Sequence, residues 1–160
     1  MIRGSYINSG GGIQPRVQVG LSLEGIGFPF GHIQFLLDTG ATTSCLHPDD
    51  AVLRMGVTFP QFEQLLQSGS PAPIRGVGGS VPYFHVPATY FFLHEDIRLE
   101  TILGEILVAV PSRENRGLPS LLGWDVLSQF HLDLDWSRSL LTLEPTSPSS
   151  SEGSRAGSSS

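Results

Sequence analysis

Apolar and polar residues alternate along the early chain: Val17, Val19, Leu21 and Leu23 are separated by Gln18, Gly20 and Ser22. A period of two is the pattern of a strand with one buried face. Gly25, Gly27 and Pro29 punctuate a turn, and residues 33–37 resume as a more apolar strand, giving a hairpin whose second arm ends at Asp38. After Leu46 the signals change. Pro48 suits a first helical position, Asp49 and Asp50 suit the positive end of a helix dipole, and Gly56 suits a C-terminal cap, which predicts a helix over 48–55. A second helix is predicted over 60–67, with Phe62, Leu65 and Leu66 on one face and Gly69 as its stop.

Two extended arms follow, at 72–77 and 80–93. Pro82 and Pro87 cannot donate ladder hydrogen bonds, so the returning arm is expected at a sheet edge or at bulges. A turn at His94, Glu95 and Asp96 leads to an extended stretch over 97–101, and Ile106, Val108 and Val110 read as a core strand. Residues 1–12 are polar, and Gly10, Gly11 and Gly12 behave as linker, so a flexible N-terminal arm is expected there. From 145 to 160 the chain is serine, proline and glycine with almost no apolar residue, which predicts a disordered tail. A single domain over 13–144 remains.

At 160 residues the chain can bury one core. Its net charge is -6, and its nine basic residues, all arginine, form no patch, so nucleic acid is not an expected partner. No charged leader precedes an apolar run, and the uncharged apolar stretches are too short to span a bilayer, so a cytoplasmic protein without membrane contact is expected. The single cysteine, Cys45, excludes an intrachain disulfide and fits a reducing compartment.

The chemistry centres on Phe35-Leu36-Leu37-Asp38-Thr39-Gly40-Ala41-Thr42-Thr43-Ser44, where an apolar strand delivers a carboxylate, a hydroxyl and a glycine at the end of a buried element. Gly40, without a Cβ, lets the backbone pass close and aim N–H groups at the carboxylate. Further on stand Ile74-Arg75-Gly76-Val77-Gly78-Gly79, then Leu121-Leu122-Gly123-Trp124-Asp125-Val126-Leu127. Each has an ordinary reading as a turn, a hairpin tip or the end of a core strand. The central glycines make no dinucleotide fingerprint, because the third glycine and the opening helix are missing.

Together and in this order, the three stretches resemble the retropepsin-like aspartic proteases. The resemblance covers residues 13–144 and implies a mostly β fold, a closed acid-protease β-barrel with one or two short helices. It implies that Asp38 is the catalytic acid and that Thr39, Gly40 and Ala41 orient the site, Thr39 by a hydroxyl contact across a dimer axis. Gly76, Val77, Gly78 and Gly79 would form the substrate-binding flap. Leu121, Leu122 and Gly123 would form the loop that crosses behind the catalytic loop. One Asp-Thr-Gly supplies half of a two-carboxylate site, so a functional protease must be a homodimer acting on an extended peptide, with no cofactor or metal. The rival expectation is a catalytically silent dimeric peptide-binding module of the same fold. Two features depart from the retroviral pattern: Trp124 stands where arginine is common, which predicts packing in place of an ionic brace, and polar extensions flank the termini that would interleave in the dimer. The helical stretch over 57–70 is longer than a minimal member needs. Met1 and the serine-rich end read as termini of a standalone protein, not of a domain cut from a polyprotein.

Other constellations are weaker. His32, His47, His85, His94 and His131 lack metal-ligand spacing. Cys45 and His47 share a strand face, yet Cys45 reads as a small buried hydrophobe and not a nucleophile. Asp133 and Asp135, alternating with Leu132 and Leu134, read as a solvent face, and Asp125 reads as a helix cap or loop brace.

Overall fold

The alternation that begins at Val17 becomes the inward face of strand β3 (Gly12–Leu23), where Val17, Val19, Leu21 and Leu23 are at most 1% exposed. Strand β4 (Phe30–Leu37) runs antiparallel to it, opposing Ile33 to Val19 and Phe35 to Val17. The computed structural model describes residues 1–27, 29–72 and 81–146. Half of the described residues are strand and 16% are helix.

Beyond β4 come β5 (Cys45–Leu46), β6 (Ser70–Ala72), β7 (Tyr83–Leu93), β8 (Leu99–Ala109) and β9 (Leu121–Leu122). The sheet runs β3-β4-β9-β5-β8-β7, and β7 pairs back onto β3 through Gly20↔Phe91 to Leu23↔Ala88. That pairing closes a six-strand barrel. Its interior is filled by the β3 residues together with Ile33, Phe35, Tyr90, Phe92, Ile106 and Val108, each fully buried. Removing this apolar surface from water at about 25 cal/mol per Å² is the main force that holds the strands together.

Helix α1 (Pro48–Met55) occupies the predicted range, with Asp49 and Asp50 in its first turn and Gly56 capping it in the left-handed conformation (φ 70°). It lies hard against β4: a Cβ on Gly31 would sit 2.3 Å from the Arg54 carbonyl oxygen. Helix α2 (Phe59–Ser68) buries Phe62 and Leu65, and Gln61 Nε2 donates to the Ile26 carbonyl. Leu66 faces solvent at 53% exposure, contrary to its expected place on the buried face, because the barrel meets only one narrow side of the helix. A four-residue helix α3 (Trp124–Leu127) follows β9, and a hairpin of β10 (Phe130–Asp135) and β11 (Leu140–Pro145) ends the described chain. Leu134, at 47% exposure, does not alternate inward with Leu132 as expected.

Three further expectations are corrected. Residues 1–12 do not form a flexible arm: β1 (Ile2–Arg3) pairs with β11, and β2 (Ser5–Ser9) folds back on β3 across a turn at the glycines. Ile2 is 1% exposed, and the apolar contact it makes offsets the cost of ordering the segment. The returning arm β7 is not an edge. It pairs with β8 along its whole length, and Pro87 falls where the β3 ladder ends, with its carbonyl accepting from Glu24 N at 2.8 Å and no N–H required. The two stretches expected over 97–101 and around Ile106, Val108 and Val110 merge into the one strand β8, because β7 offers a continuous partner, and Val110 lies just beyond its end.

The proposed tail begins later than 145, since Pro145 ends β11 and Thr146 N donates to Gln129 O at 3.0 Å. The rest of it lies outside the described residues, as do Gly76, Val77, Gly78 and Gly79. No helix among the described residues is long and apolar enough to cross a membrane.

Candidate functional site

Strand β4 ends at Leu37, and the chain turns through 38–44 before re-entering the barrel as β5. Between these two strands lies β9, which arrives from far along the sequence. It runs parallel to β4 (Leu36↔Leu121, Leu37↔Leu122) and antiparallel to β5 (Cys45↔Leu121). Leu122 is fully buried, and its carbonyl accepts from Asp38 N at 3.1 Å. The Asp38 backbone is thereby anchored to the core while its side chain, half-buried, faces out.

Gly123 then passes directly behind the loop. A Cβ there would lie 2.8 Å from Thr43 C, 2.9 Å from Ala41 O and 3.0 Å from Thr43 O, all backbone atoms, so no other residue fits without displacing the loop. The first N–H groups of α3, which have no partner within the helix, are used on the loop: Trp124 N donates to Ala41 O at 2.9 Å and Asp125 N to Thr42 O at 3.1 Å. The Asp125 carboxylate accepts from Ser44 N at 3.0 Å and from Ser44 Oγ at 2.7 Å. Ser44 Oγ in turn accepts from Gly123 N at 3.0 Å. Asp125 is thus a loop brace, and Ser44, fully buried, is the joint between two segments about eighty residues apart.

Trp124 acts by more than packing. Its indole Nε1 donates to Thr39 O at 2.6 Å, tying the outer rim of the loop to α3. Thr39 and Gly40 are exposed, while Ala41 is half-buried with its N–H on Asp38 O at 3.1 Å. Gly40 N donates to Asp38 Oδ1 at 2.9 Å. Among the described residues no salt bridge engages Asp38, and the hydrogen bond its carboxylate accepts comes from the Gly40 backbone.

Burial first, then the negative charges of Asp125 and Asp38, pushes the Cys45 thiol up to about 12. It packs with Tyr83, Leu107 and Ala109 and is no nucleophile near neutral pH. His47 is also buried, and burial lowers its pKa against the opposing effects of the Pro119 carbonyl and the Asp50 charge. Among the described residues, no three His, Cys, Asp or Glu side chains cluster closely enough to hold a metal ion.

The structure therefore brings Asp38, Thr39, Gly40 and Ala41 together with Leu121, Leu122 and Gly123. The Gly76 to Gly79 segment falls in the connection between the paired strands β6 and β7, outside the described residues. Sequence reasoning missed Ser44 and the bond made by Trp124. The only signal for Ser44 was a hydroxyl following an unusual run of small residues. Compared with family models and with curated proteins, the chain matches none.

Proposed function

We propose that the chain is an aspartic endopeptidase that works as a homodimer, and that its barrel is of the retropepsin-like acid-protease kind. The observation that carries the reading is the threading of Leu121, Leu122 and Gly123 between the two strands joined by the Asp38 loop. A half-buried carboxylate is presented on a loop held from behind at Asp38, Ala41, Thr42 and Ser44. A mere turn needs no such support.

Hydrolysis of a peptide bond without a covalent nucleophile requires a water made nucleophilic and a carbonyl made electrophilic. Two carboxylates brought close together do both, because like charges roughly 3 Å apart cannot both ionise and so share one proton. Asp38 of one copy takes a proton from the water as it attacks the carbonyl carbon. The protonated Asp38 of a second copy hydrogen-bonds the carbonyl oxygen. The captured proton then passes to the leaving nitrogen as the C–N bond breaks. Thr39, exposed beside the carboxylate, would contact the second copy. An extended peptide would be gripped as an added strand, with the glycine-rich connection between β6 and β7 closing over it. The protein works in the cytoplasm, where its lone thiol stays reduced.

Cleavage of a diverse peptide library from mildly acidic to neutral pH, with wild type and Asp38→Asn at known solution mass, tests this. Cutting by a wild-type dimer and none by the mutant dimer is expected. A folded wild-type dimer that binds peptides and cuts none would replace the hydrolase with a peptide-binding module.

A further inference from the structure

His47 is 3% exposed, and its backbone N–H and both ring nitrogens engage two other segments. Its Nδ1 lies 2.6 Å from Pro119 O. A carbonyl only accepts, so Nδ1 carries the proton and Nε2 offers a lone pair. That lone pair receives the Tyr83 hydroxyl at 3.1 Å. The backbone N–H of His47 donates to Ser120 Oγ at 3.0 Å, and Ser120 Oγ donates to Asp50 Oδ2 at 2.7 Å.

One end of this cluster leads to the candidate site and the other to the start of β7. Ser120 immediately precedes β9, and its carbonyl accepts from Leu36 N at 2.9 Å, so fixing 119–120 fixes the strand that backs the Asp38 loop. Tyr83 opens β7 opposite Ala72 of β6.

We propose that His47 is a positioning residue for the Asp38 site, tying the start of β7 to the strand that supports the Asp38 loop. The proposal rests on the reading of Asp38 as the catalytic acid. A leucine would fill the same space, but it would carry no direction. The imidazole fixes two segments relative to each other because each nitrogen serves one of them. Asp50 from α1, through Ser120, and Tyr83 from β7 are the titratable groups facing it.

The test compares wild type, Tyr83→Phe, His47→Leu and His47→Gln in the full chain, by amide hydrogen exchange and peptide cleavage. Tyr83→Phe keeps the ring and removes the hydroxyl that meets His47 Nε2. Exchange at Leu36, Asp38 and Gly123 is expected to quicken about fivefold, the loss of one such bond, while β10 and β11 amides keep wild-type rates. His47→Leu should do more, and His47→Gln, which keeps a donor and an acceptor, should restore part of the protection. For cleavage, kcat should fall in Tyr83→Phe with KM within about twofold. If His47→Leu fails to fold, Tyr83→Phe carries the decision. Wild-type exchange at Leu36, Asp38 and Gly123 in Tyr83→Phe overturns the proposal. If wild type cuts no peptide, the hydrolase reading fails, and the exchange result still decides whether the two segments are tied.

Discussion

Replacing Gly123 by alanine isolates the support behind the Asp38 loop. The residue's φ of -99° suits alanine, so backbone strain contributes nothing and the whole cost is contact. The new methyl would meet three backbone atoms at 2.8, 2.9 and 3.0 Å, where carbon contacts prefer about 3.5–4.0 Å. Overpacking of this kind costs about 1–3 kcal/mol. Relief requires segment 41–43 to move from 123, and the bonds from Trp124 N to Ala41 O and from Asp125 N to Thr42 O span that same gap. Losing one of them adds about 1 kcal/mol. The expected destabilisation is therefore about 2–4 kcal/mol, which at a urea dependence of about 2 kcal/mol per M lowers the unfolding midpoint by about 1–2 M. Both proteins are compared at one chain concentration, because association stabilises the folded form. Gly104→Ala is the control: its Cβ meets only Tyr90 Cε2 at 3.9 Å, and it should be neutral or slightly stabilising. A Gly123→Ala midpoint within about 0.3 M of wild type would refute the close approach and the brace built on it.

Ser44→Ala strips the joint between the loop and β9, leaving Gly123 N buried without its acceptor. The expected cost of about 2 kcal/mol should lower Tm by about 4–8 °C, and an unchanged Tm would refute it. Burial lowers the pKa of His47, and burial with the amino-terminal charge lowers that of His94, so the unfolded chain binds protons that the folded chain resists. Stability is complete above the ordinary histidine value of about 6.5 and is lost as pH falls through it. The urea midpoint should therefore drop from pH 7.5 to 5, with a shallower slope in His47→Gln; a slope unchanged in both His47→Gln and His94→Gln contradicts the assignment. With the thiol at about 12, alkylation of Cys45 at pH 8 should be about a thousandfold slower in the folded protein than in denaturant. Comparable rates would mean the side chain is reached in the native state.

Local signals made much of this fold legible. Proline at N1, paired acids in the first turn and a capping glycine fixed α1 to the residue, since all of that information lies within the helix. The alternation in β3 was equally local. What failed depended on partners far away. Ile2 and Arg3 carry no strand pattern of their own and are ordered only because β11 accepts them. Pro87 argued for an edge, yet the ladder of β3 ends beside it, which no window around residue 87 reveals. The apolar stripe of α2 suggested that Leu66 is buried, but the width of the surface it meets is a tertiary property. At the candidate site, the residues in the motifs were visible, whereas the braces were not. Ser44 and Asp125 are ordinary polar residues until the chain folds them together, and His47 and Tyr83 lie 36 positions apart with nothing to link them but geometry.

The insertion of β9 between β4 and β5 also sets a clock. During synthesis the Asp38 loop and both of its flanking strands leave the ribosome first, and roughly 75 residues must follow Leu46 before Leu121 is available. At about 5–20 residues per second that is a delay of roughly 4–15 s. Throughout it the gap between β4 and β5 has no occupant, Asp38 N lacks its acceptor and Ser44 lacks Asp125. A chain stopped short of residue 121 contains every residue of the acidic loop and none of the braces that 121–125 supply. The proposed hydrolytic competence is therefore tied to near-completion of the domain, which keeps unfinished chains silent.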